Sequence, residues 1–330
     1  MKKAITVVIT LLILLIMSGT VYAAPGRVSL LLNGSMEQEF NKMCVNGIEN
    51  AKKRYIKDFT YKFYTTQSNP SEEELRGVMD KAMTSSDCVI VAGYAYSRLI
   101  NEYTLKHPEV TVFSFVNRPN SNVIRVTFKE EEGGFLAGAL ASMLTSRKAV
   151  PRIDSDKNRI GIILGKELEA TKNFERGFRA GSWYADPKTE VLCEYTGSFS
   201  NLEATADAAR RMNNMGADVI FCAAGYAGYG AIKIADDLGI WIIGIDSEQE
   251  KRYPDAVLTS VIKRIDFAVF QAVTFFVKKE SRVMKRLGIR EGCIDMSLWT
   301  RESKENIPLD IRERMIEISD KIEEGLIIIK

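Results

Sequence analysis

From residue 28 onwards, short apolar runs alternate with longer amphipathic stretches. Residues 28–32, 59–64, 88–92, 112–116 and 123–128 are rich in Val, Ile and aromatic side chains and read as strands. Between them the period changes. Phe40, Met43, Cys44, Gly47, Ile48 and Ala51 recur at helical spacing, which predicts a helix with one buried face. Strands of this apolar kind alternating with helices predict a parallel sheet covered on both sides.

The pattern then repeats. Residues 160–164, 191–195, 219–223, 241–245 and 257–262 form a second set of strand-like runs. Landmarks correspond in order: Phe40 and Gly47 with Phe174 and Gly181, Tyr64-Thr65 with Tyr195-Thr196, Asp87 with Asp218, and Val116-Asn117 with Ile245-Asp246. Their offsets stay between 129 and 134 residues. Ordered landmarks at a near-constant offset predict two homologous α/β lobes. Ligands of open α/β sheets bind beyond the C-terminal strand ends, so the residues just after each strand are the candidate site.

After the first strand comes Asn33-Gly34-Ser35-Met36-Glu37-Gln38-Glu39-Phe40-Asn41. Ser35 is placed to cap the following helix, and acids there suit its dipole. Phe40 and Asn41 offer a ring for stacking and an amide for hydrogen bonding, although core packing explains Phe40 equally well. Phe199 stands apart from any apolar stripe, in the polar loop Thr196-Gly197-Ser198-Phe199-Ser200-Asn201, and so points to contact with something flat. Gly225 belongs to a glycine-rich run over residues 223–230 that permits close backbone approach by a ligand or simply a tight packing turn. Asp246 ends a buried strand, either as an acceptor for vicinal hydroxyls or as a cap for the next helix. Lys263 ends another, with three readings: a partner for Asp246, a donor to a polyol, or a surface charge.

Composition narrows the function. The 330 residues are 46% hydrophobic and 27% charged, an ordinary globular balance with room for two domains. Lys2 and Lys3, an apolar run over residues 4–17 and Val21-Tyr22-Ala23 form the layout of a secretory signal peptide over residues 1–23. Its loss leaves 43 basic against 43 acidic residues, without the basic excess that nucleic-acid binding draws on. The five cysteines are scattered and odd in number, against a disulfide framework. A single histidine, His107, without accompanying Cys or His ligands or a nucleophile motif, argues against a zinc site or a histidine-based triad. Nor is there an aspartate cluster near the first strand to hold metal and water for hydrolysis: Asn33 and Glu37 stand there instead. No enzyme, cofactor or metal is expected.

Several stretches together resemble the basic membrane protein family of ABC-transporter substrate-binding proteins. They are Glu37-Gln38-Glu39-Phe40-Asn41, Phe128-Lys129-Glu130-Glu131-Glu132-Gly133-Gly134-Phe135-Leu136-Ala137-Gly138, Gly177-Phe178-Arg179-Ala180-Gly181, Gly244-Ile245-Asp246-Ser247-Glu248-Gln249, and the run from Leu258 to Arg264. The resemblance covers nearly the whole mature chain. It implies the type I periplasmic binding protein fold, two Rossmann-like lobes joined by three crossovers. The expected division is lobe 1 from residues 24–127 and 263–296, and lobe 2 from residues 128–262 and 297–330. It further implies a periplasmic monomer that binds a nucleoside, expected to be a purine one, and delivers it to an ABC permease in the inner membrane. The alternatives are a binder of free purine base or another small solute, and a sensor presenting its ligand to a receptor. By matching position the resemblance implies Phe40 and Phe199 as the stacking rings, Asn41 as a polar contact, and Asp246 and Lys263 as the ribose ligands. Two departures bear on the ligand: Glu37 replaces the family's Asp, and Asn117 replaces an acid. The lipobox Cys of many relatives is absent, so no lipid anchor is expected.

Overall fold

The structure, a computed structural model, describes residues 24–115, 123–153, 156–280 and 286–329. The leader expected over residues 1–23 and Asn117 lie outside them.

The first lobe is built on β1 (Gly26–Asn33), β2 (Phe59–Thr66), β3 (Cys88–Val91), β4 (Thr111–Ser114) and β5 (Val123–Arg125). They form one parallel sheet in the order β2-β1-β3-β4-β5. Helices α1 (Glu39–Arg54), α2 (Glu72–Ser85) and α3 (Ile100–Lys106) connect them. The local signals agree with the outcome. Ser71 caps α2 by accepting from the Glu74 N–H at 3.1 Å, with three glutamates in the first turn. Continuous apolar strands such as β3, buried at all four residues, need cover on both faces.

The second lobe repeats the plan. It contains β6 (Arg159–Leu164), β7 (Glu190–Tyr195), β8 (Ala217–Ala223), β9 (Trp241–Asp246), β10 (Val257–Lys263) and β11 (Ile294–Met296), in the order β11-β10-β9-β8-β6-β7. Its helices are α4 (Glu130–Thr145), α5 (Glu169–Ala185), α6 (Leu202–Asn214) and α7 (Tyr229–Leu238). After β10 come α8 (Ile265–Val277), and later α9 (Arg301–Asn306) and α10 (Leu309–Glu324).

Helix α4 is not amphipathic: residues 130–142 are all buried. Glycines let it lie against α5 almost backbone to backbone. A Cβ on Gly134 would stand 2.3 Å from the Phe174 carbonyl oxygen, and one on Gly138 would stand 2.0 Å from that of Phe178. In return, Gly177 meets Glu131 and Gly181 meets Phe135, each with 2.0 Å to a carbonyl oxygen. The conspicuous Gly133-Gly134-Phe135-Leu136-Ala137-Gly138 run is therefore half of a reciprocal helix clamp.

The chain crosses between lobes three times, after β5, after β10 and before β11. The crossings hold one another. Leu287 donates its N–H to the Thr127 carbonyl at 2.8 Å, Lys129 donates to Leu287 at 2.9 Å, and Arg264 donates to Cys293 at 2.9 Å. One boundary is corrected. Residues 294–296 were expected in lobe 1, but β11 pairs antiparallel with β10, Val261 opposite Met296, and completes the second sheet. The return crossing thus falls before residue 294.

Candidate functional site

The C-terminal ends of the two sheets face each other across a cleft of about 580 Å³. Phe40, Asn41, Phe199, Gly225, Asp246 and Lys263 all line it, together with Tyr94, Phe128 and Glu130.

On the first lobe, β1 ends at Asn33, a buried amide that fixes the loops around it. Its Nδ2 donates to Thr66 Oγ1 at 2.7 Å, and its Oδ1 accepts from the Ala95 N–H at 2.8 Å. Asn41, 1% exposed, donates through Nδ2 to the carbonyls of Asn33 (2.8 Å) and Ser35 (2.9 Å). Both amide hydrogens are so engaged, which leaves Oδ1 as its acceptor toward the cleft. Phe40 is half-buried beside it: it packs against the core and also lines the cleft, so the two readings of the sequence are both met. Ser35 does not cap the helix. Its Oγ accepts from the Glu37 N–H at 3.1 Å within the preceding turn, and α1 starts after Gln38 without a side-chain cap. This turn directs Glu37 outward, 83% exposed and paired with Lys42 at 2.9 Å. Glu37 therefore does not join the cleft lining, whereas Gln38 and Glu39 do.

On the second lobe, the Phe199 loop is held by its own polar residues. Ser198 Oγ accepts from the N–H groups of Ser200 and Asn201, each at 3.1 Å, and Asn201 caps α6. The ring rests over two glycines. A Cβ at Gly165 would lie 2.4 Å from it, and Gly225, at φ +57°, would place one at 3.6 Å. Tyr94 reaches Phe199 from the other lobe, with ring centroids 5.5 Å apart and planes tilted by 57°. Lys166, again on lobe 2, sets its ammonium 4.7 Å from the centre of the Tyr94 ring. Tyr94 was not singled out from the sequence, although it directly follows β3 and Gly93, where the strand-end rule directs attention.

The floor of the cleft is charged. Asp246 sits in the left-handed region at φ +71°, and its carboxylate forms no cap to the following turn, which starts after Glu248 without a side-chain cap. Burial pushes its carboxyl up from 3.8 to about 6. Nearby Glu39 and Glu130 push the same way, and Lys263 opposes them. The expected Asp246–Lys263 pair does not form among the described residues: Lys263 Nζ bonds Glu130 Oε1 at 2.9 Å, with both side chains nearly enclosed. Strand register contributes to this. In the parallel pairing of β9 with β10, Asp246 stands opposite Ile262, so Lys263 is one residue out of step with it. Glu130, the first residue of α4, was not singled out from the sequence; an acid there suits the helix dipole.

Comparison with known proteins places this cleft in context. Residues 27–330 match the family described as "ABC transporter substrate-binding protein PnrA-like". Basic membrane protein A1 of Borrelia garinii subsp. bavariensis is 30% identical over 308 residues, spanning 90% of this chain and 86% of the relative. Basic membrane protein A of Borreliella afzelii is 29% identical over 309 residues, spanning 90% and 89%. Among solved structures, an ABC transporter system solute-binding protein from Aeropyrum pernix K1 shares the fold with a TM-score of 0.78 at 22% identity, over 92% of this chain and 93% of that one.

Proposed function

Because the chain belongs to the PnrA-like family of ABC transporter substrate-binding proteins, we propose that it captures a purine nucleoside in the interlobe cleft and hands it to an ABC permease. The observation that carries this reading is the composition of one cleft. Phe40 from lobe 1 and Phe199 from lobe 2 supply aromatic faces, and Asp246 and Lys263 supply an acceptor and a donor at its floor. A heteroaromatic base stacks on rings with roughly 1–3 kcal/mol per contact, and a ribose offers vicinal hydroxyls to a carboxylate and an ammonium. Asn41 Oδ1 and the Gly225 backbone are the polar contacts assigned to the base side. Asn117 is assigned to the same site by its correspondence with Asp246.

Ligand touching both lobes stabilises the closed form, which is the state a permease distinguishes from the empty one. The reading includes export: cleavage before Ala24 and a monomeric periplasmic protein. Among the described residues no helix is long and apolar enough to cross a membrane. Calorimetry with inosine, guanosine, hypoxanthine and ribose tests the function. The expected result is saturable binding of the nucleosides, tighter than that of base or sugar alone. Binding of a hexose with no response to any nucleoside or base overturns it.

A further inference from the structure

Lys263 and Asp246 are assigned above to one ligand, yet a lysine and an aspartate at adjacent strand ends have an obvious alternative: each other. Strand register sets them one residue out of step, and Glu130 takes the long lysine side chain that could still span that offset. Its Oε1 takes Lys263 Nζ at 2.9 Å, while its Oε2 is approached by Asn173 Nδ2 at 3.4 Å. Glu130 is itself fixed. It opens α4, where the helix dipole favours a carboxylate, and α4 is locked onto α5 by the glycine clamp. Beneath the ammonium lie the rings of Phe128 at 4.5 Å and Phe174 at 5.8 Å. Those faces attract the charge but take no conventional hydrogen bond. An ammonium has three donors. One is used by Glu130, and the rings leave the remaining ones the cleft.

We infer that Glu130 is the positioning residue of the cleft floor: it holds Lys263 as a donor to the ligand's hydroxyls and keeps it from collapsing onto Asp246, whose carboxylate stays open as the acceptor. This rests on the nucleoside reading for its ligand, but not for its geometry. The groups facing Asp246 are Glu39 from α1, Glu130 from α4, Lys263 from β10 and Tyr229 from α7, with the Cys44 thiol of α1 nearby. Neutralising Glu130 removes one negative neighbour of Asp246 and frees its positive one. Both changes make Asp246 easier to ionise, so its titration moves to lower pH.

The experiment uses the full mature protein with Glu130→Gln and Glu130→Asp. In calorimetry Glu130→Gln is expected to lose roughly tenfold or more in inosine affinity, the worth of one hydrogen bond involving a charged group. Hypoxanthine binding is expected to stay within about twofold, since stacking on Phe40 and Phe199 does not involve Glu130. Glu130→Asp, which keeps the charge, should recover part of the inosine affinity. Carboxyl-carbon NMR of the ligand-free protein follows Asp246 directly, and Glu130→Gln should lower its midpoint. An unchanged or raised Asp246 midpoint overturns the inference whatever the ligand proves to be. Equal losses for inosine and hypoxanthine also overturn it, by reducing Glu130 to a structural part. Failure of the wild type to bind any nucleoside, with the Asp246 midpoint still lowered in Glu130→Gln, overturns the ligand assignment and leaves the positioning role standing.

Discussion

Asp246→Asn should make the empty protein more stable and a worse binder at the same time. The substitution keeps the side-chain shape, and asparagine tolerates the left-handed backbone at φ +71° at least as well as aspartate. What it removes is a negative charge that the folded protein holds at a disadvantage. Burial lifts the carboxyl from 3.8 to about 6, against the pull of Lys263. Each pH unit of displacement corresponds to about 1.4 kcal/mol, so the ionised group costs on the order of 3 kcal/mol at pH 7, which water entering the cleft reduces to about 1–2 kcal/mol. The sign follows from proton uptake. Between the unfolded value and about 6 the folded state binds a proton that the unfolded chain does not. The cost is therefore full above pH 6 and fades as the pH falls through it. Thermal unfolding of the ligand-free proteins should show Asp246→Asn melting several degrees higher at pH 7, given about 2–4 °C per kcal/mol for chains of this order. The gain should shrink to about a third by about pH 4.5, and the two curves should converge below the unfolded carboxylate value of about 3.9. Calorimetry should show inosine affinity down by roughly tenfold or more, as hydrogen bonds to a charged acceptor become neutral ones. An unchanged or lower melting temperature at pH 7, or a gain of equal size at about pH 4.5, would refute the reasoning.

Three further outcomes are expected. Phe199→Ala should cost inosine and hypoxanthine alike about 1–3 kcal/mol in calorimetry, because only a stacking face is lost; a loss confined to inosine would place the base elsewhere. Gly177→Ala should lower the melting temperature by the equivalent of about 1–3 kcal/mol, because its Cβ would meet the Glu131 backbone, which cannot swing aside. Gly77→Ala, with open space around it in α2, should be neutral or raise it by up to about 1 kcal/mol. Glu37→Ala should leave inosine affinity within about twofold, since an exposed side chain paired with Lys42 contributes little; a large loss would mean that Glu37 turns inward when ligand arrives.

The ten strands of the two repeats were legible because parallel strands covered on both faces must be apolar throughout, and such runs stand out between helices. β11 was not legible. It is three residues long, and only Ile294 is fully buried, so neither alternation nor an apolar run marks it. In the cleft, position relative to strand ends was readable and side-chain direction was not. That rule found Phe199, Gly225, Asp246 and Lys263. Choosing Glu37 over Glu39 depended on where α1 starts, and residues two apart at a helix start face different ways. Pairing Asp246 with Lys263 depended on a register that sequence does not carry. Glu130 and Tyr94 carry a local explanation each, a helix dipole and an aromatic next to a core; tertiary packing gives them a second role, Glu130 through Lys263 and Tyr94 through Phe199 of the other lobe.

The duplication also explains why the cleft is asymmetric. Each lobe's fifth strand leads into a helix that packs on the other lobe's first helix: β5 into α4 against α5, and β10 into α8 against α1. Both contacts depend on the corresponding glycine. A Cβ on Gly47 would stand 2.3 Å from the Asp266 carbonyl oxygen, as one on Gly181 would stand 2.0 Å from that of Phe135. The corresponding phenylalanines have diverged. Phe40 is half-buried at the cleft, whereas Phe174 is 5% exposed, edge-on to Phe221 at 5.7 Å, and underlies Lys263. Both rings thus border the cleft, but the more buried one also lies under a charge. That charge is Lys263, the last residue before the crossing into α8, and its partner Glu130 is the first residue of α4 after the opposite crossing. The ion pair therefore joins the strand that leads out of the second lobe to the helix that leads into it.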